Sequence, residues 1–381
     1  MKETASPERV RSSRLSIPAL DGLRGIAATL VVLTHVGFVT GSYSLGGLGA
    51  TLARFDIGVA LFFALSGFLL TRPWVAAADG GHTPRVRTYA VRRAARILPA
   101  YWVVLLVVVL TTARGATPTA VASNATLTQV YTNDLLDGFT QTWSLCTEVA
   151  FYVLLPFIAP FVARAATHSM RRALALLGVA SALALVWIAL VAAQILPFDH
   201  VAALWLPGHL DWFAVGLAIA VLEPTLRDSS SRLTSRWGGV LSTPWALVAL
   251  ALAVFALACT PIAGPLTLTP PQPLPAVTKE VLYAIVAFLV VLAGAMAPPT
   301  TSFARALGGR VGRALGRVSY GMFLWHLLVI ELLRRVLGLE LFSGGLLLLA
   351  VLGLGVTFVV AEVSWRVIEL PMLRRAGAHP R

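Results

Sequence analysis

Apolar stretches of about 20 residues recur along the whole chain, and short polar stretches rich in arginine separate them. A helix needs about 20 mostly apolar residues to cross the hydrocarbon core of a bilayer, so each stretch predicts a transmembrane helix. No long polar block interrupts the series. The pattern therefore predicts one all-α, polytopic membrane domain over residues 19–373, between tails at 1–18 and 374–381. About ten helices are predicted, at Asp21–Thr40, Asp56–Ala76, Ile97–Ala113, Thr142–Val162, Ala173–Leu196, Trp205–Leu222, Val240–Thr260, Glu280–Ala297, Val318–Leu333 and Ser343–Trp365.

The composition supports this fold class. Hydrophobic residues make up 57% of the chain and charged residues 12%, with a mean hydropathy of +0.81. Soluble globular proteins have a charged fraction of about 25%. These values exclude an ordinary soluble domain and indicate an integral membrane protein.

The distribution of basic residues predicts the orientation. Of the 30 Lys and Arg residues, Arg24 lies within a predicted helix and nearly all the others fall in every second connection, beginning with the N-terminal tail. Basic loops stay in the cytoplasm, so both termini are predicted to be cytoplasmic. This asymmetry explains the net charge of +13 without a nucleic-acid partner, and membrane lipids are the expected partners. The opposite connections contain only Arg54, Arg114, Lys279, Arg334 and Arg335.

The scarcity of lysine beside abundant arginine and alanine is typical of a GC-rich bacterial genome. The predicted location is therefore the inner membrane of a bacterium.

Arg24 and His35 share the first apolar stretch, IPALDGLRGIAATLVVLTHVG. Titratable groups at membrane depth are costly, so they are candidates for function. Eleven residues make about three helical turns, which places both side chains on one face, about 16 Å apart along the axis. A structural alternative is that Arg24 reaches the lipid headgroups and His35 forms an interhelical hydrogen bond.

Arg93 and Arg96 stand three residues apart in RTYAVRRAARILPAYW, on one helical face at the predicted cytoplasmic surface. Planar guanidinium groups bind phosphate oxygens in pairs, so these two arginines suit a phosphate-bearing ligand. Attraction of an ordinary basic segment to anionic lipid is the alternative.

Two further segments place polar groups inside predicted helices. Glu148 follows Trp143 in QTWSLCTEVAFYVLLP, and a carboxylate at that depth requires a partner or a proton. His326 lies within SYGMFLWHLLVIELL. We expect Glu148 to be functional and Trp143 and His326 to contact substrate; an aromatic belt residue and a buried hydrogen-bonding histidine are the structural alternatives.

Other polar residues favour structural roles. Ser66-Gly67 in FFALSGFLL is typical of helices that approach closely, and His209 with Asp211 is typical of an interfacial pair. The chain has no phosphate-binding glycine loop and no His or Cys cluster with metal-ligand spacing. No metal is therefore expected, and any cofactor would be a freely bound substrate.

Six segments, taken together, resemble the acyltransferase-3 family of membrane O-acyltransferases. They occur in the family's order over nearly the whole chain: DGLRGIAA with Arg24 and the following His35, FFALSGFLL, RRAARILPAYW, WSLCTEVAFY, SYGMFLWH, and RVIELP with Glu369 and Pro371.

The resemblance implies a helical membrane enzyme that transfers an acyl group, acetyl by default, from acyl-coenzyme A to a hydroxyl group. The acceptor would be a saccharide, glycolipid, cell-wall glycan or natural product. It implies that His35 is catalytic with Arg24 as its motif partner, that Arg93 and Arg96 contact the coenzyme A phosphates, and that Glu148 belongs to the site. Burial disfavours the charged form of an imidazole, which would keep His35 ready as a base.

A secondary transporter is the alternative function. In that case, buried Arg24, His35, Glu148 and His326 would form a path for protons or substrate between helices. Transporters often contain two related halves, and no such duplication is visible in the sequence.

Overall fold

The computed structural model describes residues 17–377 except 229, 242, 267 and 268, and these residues form helices joined by short connections, with no strand among them. Residues 1–16 and 378–381 of the expected tails lie outside the described residues. The α-helices are α1 Pro18–Val39, α2 Gly46–Arg54, α3 Ile57–Ala78, α4 Val86–Thr111, α5 Pro118–Ala125, α6 Gln129–Thr132, α7 Trp143–His168, α8 Met170–Ala192, α9 Leu210–Arg227, α10 Arg232–Leu241, α11 Pro244–Ala258, α12 Pro273–Met296, α13 Ser302–Leu307, α14 Arg310–Val336, α15 Leu346–Ser364 and α16 Leu370–Arg375.

The predicted all-α membrane fold is confirmed, with one helix shorter than expected. In the part of the chain that the structure describes, nine helical segments are long and apolar enough to cross a membrane. The tenth predicted span, Val240–Thr260, corresponds to α11, which has 15 residues. At 1.5 Å per residue α11 is about 22 Å long, short of the roughly 30 Å hydrocarbon core.

The helix ends define two ends of the bundle. The Pro18 end is where α1 begins. Arg96 and Glu369 pair with each other near Arg24 of α1, and Arg92 donates to the Gly377 carbonyl on the same side. The Val39 end is where α1 finishes. Assignment of the Pro18 end to the cytoplasm stays a prediction.

Glycines bring α1 and α14 into direct backbone contact. A methyl group on Gly316 of α14 would lie 2.6 Å from the carbonyl carbon of Asp21, and one on Gly25 of α1 would lie 2.5 Å from Cβ of Leu315. Such separations are too short for any larger side chain. The two helices therefore run side by side and place residues far apart in sequence next to each other.

Gly67 has the same function at the crossing of α3 and α9. A methyl group there would lie 3.3 Å from Cα of Gly216. The predicted close helix approach at Ser66-Gly67 is confirmed for the glycine.

The segment between α4 and α7 packs on the Val39 end of the bundle. Tyr101 and Cys146 donate to the carbonyl oxygens of Asn124 and Leu127, and Trp205 donates to Val130. The residues between α4 and α7 thus form a folded cap that includes α5 and α6.

Candidate active site

Two imidazole rings from opposite parts of the sequence meet inside the bundle. His35 of α1 and His326 of α14 have ring centroids 4.9 Å apart, and Nε2 of His326 lies 3.2 Å from Nδ1 of His35. His326 is fully buried, whereas His35 is half-buried. His35 is therefore the more accessible ring of the two.

Backbone carbonyls determine which nitrogens carry protons. Nδ1 of His35 lies 2.8 Å from the Val31 oxygen, and Nδ1 of His326 lies 2.8 Å from the Phe323 oxygen. A carbonyl oxygen only accepts, so each Nδ1 donates. Nε2 of His326 can then accept from His35, and Nε2 of His35 is left unprotonated. This Nε2 has no hydrogen-bond partner among the described residues, so it is the basic atom of the pair.

Arg24 occupies the same helix as His35, about 16 Å nearer the Pro18 end by helical rise. It is close enough to Arg96 and Glu369 to interact electrostatically. Its Nε is buried and has no hydrogen-bond partner in the described structure. An unsatisfied guanidinium donor that is half-buried suits an anionic ligand.

Arg96 is largely committed to protein contacts. Its Nη1 lies 3.8 Å from Oε2 of Glu369, and its guanidinium carbon lies 5.1 Å from the centre of the Trp365 ring. Glu369 ends a π-helical segment, Trp365–Glu369, and π-helical turns are frequent at functional sites. The sequence marked Glu369 only as part of a motif, so its pairing with Arg96 was missed.

Glu148 is bound by two hydroxyl groups. Its Oε1 accepts from Ser66 and from Tyr152, the latter at 2.5 Å. Arg93 lies over the Tyr152 ring, 6.0 Å from its centre. This carboxylate was expected to require a partner, and its partners are these two neutral hydroxyl groups. Sequence reasoning assigned Ser66 to a close helix approach and predicted neither its contact with Glu148 nor that of Tyr152.

Trp143 has ring contacts with His209 and Phe63 and none with His35 or His326 among the described residues. Its ring centroid lies 5.3 Å from His209 and 6.5 Å from Phe63. These contacts support the structural alternative for Trp143 that the sequence left open.

His209 lies in a second cluster of titratable groups, the His209 cluster, formed with Asp211 and Glu280. All three residues are buried, and Nδ1 of His209 is 3.6 Å from Oε2 of Glu280. Both His209 nitrogens, both Asp211 oxygens and Oε2 of Glu280 have no hydrogen-bond partner in the described structure. Both His209 and Asp211 are buried within the bundle, and their predicted position at the membrane interface stays a prediction.

No group of three or more His, Cys, Asp or Glu side chains in the described ranges has a geometry that could hold a metal ion.

Comparison with known proteins identifies the family. Residues 17–365 match a family model described as an acyltransferase domain. The chain belongs to the acyltransferase-3 family. Both histidines, Glu148 and the arginines Arg24, Arg93 and Arg96 fall within the matched residues, whereas Glu369 lies just beyond them.

Curated relatives of this acyltransferase-3 protein come from bacteria. The peptidoglycan O-acetyltransferase OatA of Listeria monocytogenes is 25% identical over 388 residues, which cover 96% of this chain and 57% of the relative. The putative peptidoglycan O-acetyltransferase YrhL of Bacillus subtilis is 28% identical over 377 residues, 93% of this chain and 55% of the relative. The chain thus spans little more than half the length of either. No solved structure matches it.

The predicted site residues of the acyltransferase-3 protein separate into three locations. His35 and His326 are in contact; Arg24, Arg93, Arg96 and Glu148 lie nearer the Pro18 end; and Trp143 packs with the His209 cluster. Arg24 and His35 therefore lie on one helix at different depths, whereas Arg93 and Arg96 belong to α4 and Glu148 to α7.

Proposed function

We propose that this chain is a membrane O-acetyltransferase that moves an acetyl group from acetyl-coenzyme A to a hydroxyl group of a bacterial envelope saccharide. The observation that carries the proposal is the half-buried His35, whose Nε2 has no protein partner while Nδ1 is held by Val31 and His326. The names of the relatives support a cell-wall glycan as the acceptor class.

The acceptor hydroxyl is activated by His35. Nε2 takes the proton of the hydroxyl group as its oxygen attacks the carbonyl carbon of the thioester. The new C–O bond forms, the C–S bond breaks, and the thiolate leaves. The proton on His35 then passes to the thiolate, which restores the neutral imidazole and yields free coenzyme A and the ester.

The donor extends between the arginines and the histidine. Arg24 and Arg93 are both partly exposed, and neither guanidinium group forms a hydrogen bond with the described residues, so these two are the donors best placed for phosphate oxygens. Arg96, paired with Glu369, contributes by holding the wall of the site. The separation of about 16 Å between Arg24 and His35 leaves room for the extended pantetheine arm between phosphates and thioester.

His326 acts through His35. Because its Nε2 faces Nδ1 of His35, we assign it a positioning role in place of the substrate contact expected from sequence. Glu148 holds the hydroxyl groups of Ser66 and Tyr152 beneath Arg93 and so shapes the donor path.

The test is incubation of the purified protein with acetyl-coenzyme A and a panel of hydroxylated acceptors, among them peptidoglycan fragments and glycolipids. We expect release of free thiol that depends on one acceptor and is matched by a mass increase of that acceptor. Uptake of a solute into proteoliposomes without thiol release would instead identify a transporter and overturn the proposal.

A further inference from the structure

A cavity of about 760 Å³ opens at the Pro18 end, apart from the candidate active site. The final turns of α3 and α9, the end of α12, and α13 surround it, together with the first residues of α1. None of the histidines, Glu148, Arg93 or Arg96 lines it. The proposed acyl transfer leaves this cavity without a role.

In one wall of the cavity, two arginine side chains donate hydrogen bonds to a single buried carboxylate. Glu223 accepts from Nε and Nη2 of Arg72 at 2.6 and 3.0 Å, and from Nε of Arg227 at 2.9 Å. The Glu223 side chain is 7% exposed. Because two guanidinium groups face one carboxylate, this wall keeps an excess positive charge.

Unpaired donors point to an anion. Arg227 uses Nη2 on the carbonyl oxygen of Ala295 at 2.6 Å, which leaves Nη1 with no partner among the described residues. Arg305, also part of the lining, forms no side-chain hydrogen bond or ion pair with that part of the chain. Planar guanidinium forks bind phosphate oxygens in pairs, so Arg227 and Arg305 are the lining residues best suited to a phosphate group.

The charge balance limits the size of the anion. The lining contains Arg72, Arg227 and Arg305 against the carboxylates of Glu223 and Asp79. A net excess of one positive charge matches a ligand with one negative charge better than a nucleotide with several. Asp79 has no side-chain partner in the described ranges and is available to a hydroxyl or ammonium group on the ligand.

The other lining residues are mostly small and apolar, with alanines and prolines from α1, α9 and α12. A cavity with basic groups and an apolar wall, at the level where transmembrane helices end, fits a lipid headgroup and its glycerol. We propose that this cavity binds the phosphodiester headgroup of a phospholipid, with the phosphate on Arg227 and Arg305 and a headgroup hydroxyl or ammonium group toward Asp79. This proposal does not depend on the proposed acetyl transfer.

The test titrates dihexanoylphosphatidylglycerol into purified protein in a nonionic detergent and follows the melting temperature. Arg305→Gln is the first variant, since this side chain is exposed and has no protein contact to lose. We expect the half-saturating lipid concentration to rise about tenfold, the effect of losing a charge-assisted hydrogen bond. The double variant with Arg227→Gln is expected to lose the lipid response.

Arg114→Gln is the matched control, because Arg114 is exposed at the Val39 end of α4 and belongs to no part of the cavity. The melting temperature without lipid reports whether each variant folds, and Arg305→Lys is expected to recover part of the response. Coenzyme A is titrated in parallel to separate the two sources of phosphate. Equal lipid responses in Arg305→Gln and Arg114→Gln, or a coenzyme A response that is lost in the double variant, would overturn the lipid assignment.

Discussion

The His35–His326 pair and the His209 cluster contain similar groups in opposite environments. In the first, ring nitrogens bind backbone carbonyls or each other, and His35 keeps an accessible edge. In the second, an imidazole and two carboxylates are sealed beneath aromatic rings, and five of their polar atoms have no partner in the described structure. Because they differ in hydrogen bonding and accessibility, polar residues at membrane depth are not equivalent candidates for catalysis.

A general base needs an accessible atom in a defined protonation state, and His35 has both. Buried polar atoms without hydrogen bonds instead cost folding free energy. The His209 cluster therefore lowers stability and has no accessible atom with which to act on a substrate. The predictions below test this contrast, beginning with the largest expected effect.

His326 should hold the His35 ring in position for proton transfer. His326→Ala deletes one of the two acceptors of Nδ1 of His35 and leaves the Val31 carbonyl, and we expect kcat for acetyl transfer to fall about 100-fold, the low end of what a general base contributes. The KM for acetyl-coenzyme A should not change. His326→Gln offers an amide oxygen to the same donor and should recover part of kcat; equal loss in both variants, with a raised KM, would indicate a purely structural histidine.

The Glu148 carboxylate accepts hydrogen bonds, whereas the Asp211 carboxylate has no hydrogen-bond partner in the described structure. Glu148→Gln removes a charged acceptor for Ser66 and Tyr152, so we expect kcat/KM to fall about tenfold. Ser66→Ala should cost less, because the Tyr152 hydrogen bond remains. Steady-state thiol release at varied donor concentration measures both. A Glu148→Gln enzyme with wild-type kinetics would remove this residue from the site.

Arg93 and Arg96 differ in how far the protein already uses them. Arg93→Gln should raise the KM for acetyl-coenzyme A by up to about tenfold with little change in kcat, because an open guanidinium group is lost. Arg96→Gln leaves Glu369 buried without its cation, so its main effect should be a lower melting temperature. If Arg93→Gln left donor affinity unchanged, the phosphate assignment of Arg93 would be wrong.

Asp211 should be dispensable for transfer. Asp211→Asn keeps the shape of the side chain and removes a buried ionisable group, so we expect unchanged kcat and a free energy of unfolding higher by up to about 1 kcal/mol. Thermal unfolding and thiol release on the same sample check both. A loss of activity at unchanged stability would show that the His209 cluster takes part in the reaction, and would contradict the difference drawn between it and the His35–His326 pair.

Much of the architecture could be predicted because it depends on local patterns. Apolar stretch lengths gave the helices, and the spacing of Arg24 and His35 placed both on one face of α1. One small-residue signal was also local, since Gly67 of Ser66-Gly67 lies at a helix crossing in the structure. The predicted span Val240–Thr260 was too long because Val240 and Leu241 belong to α10 and α11 begins only at Pro244.

The contacts that define the site could not be predicted in the same way. His326 meets His35 across 291 positions of sequence, through a glycine contact between α1 and α14 that no periodicity reports. Glu148 accepts a hydrogen bond from Ser66 on another helix, and Glu369 forms an ion pair with Arg96. These pairings depend on how helices pack, whereas sequence alone gives only the face on which each residue lies.

The central claim is that Nε2 of His35 removes the proton of the acceptor. The most direct measurement compares thiol release by His35→Asn and His168→Asn with wild type at equal amounts of folded protein. His168 also places Nδ1 2.8 Å from the carbonyl oxygen four residues earlier, but it is exposed at the Pro18 end of α7, so it matches the local geometry without the site. Asparagine can still donate to that carbonyl and lacks the base. We predict a loss of at least about 100-fold for His35→Asn and none for His168→Asn; transfer by His35→Asn at the wild-type rate would contradict the account.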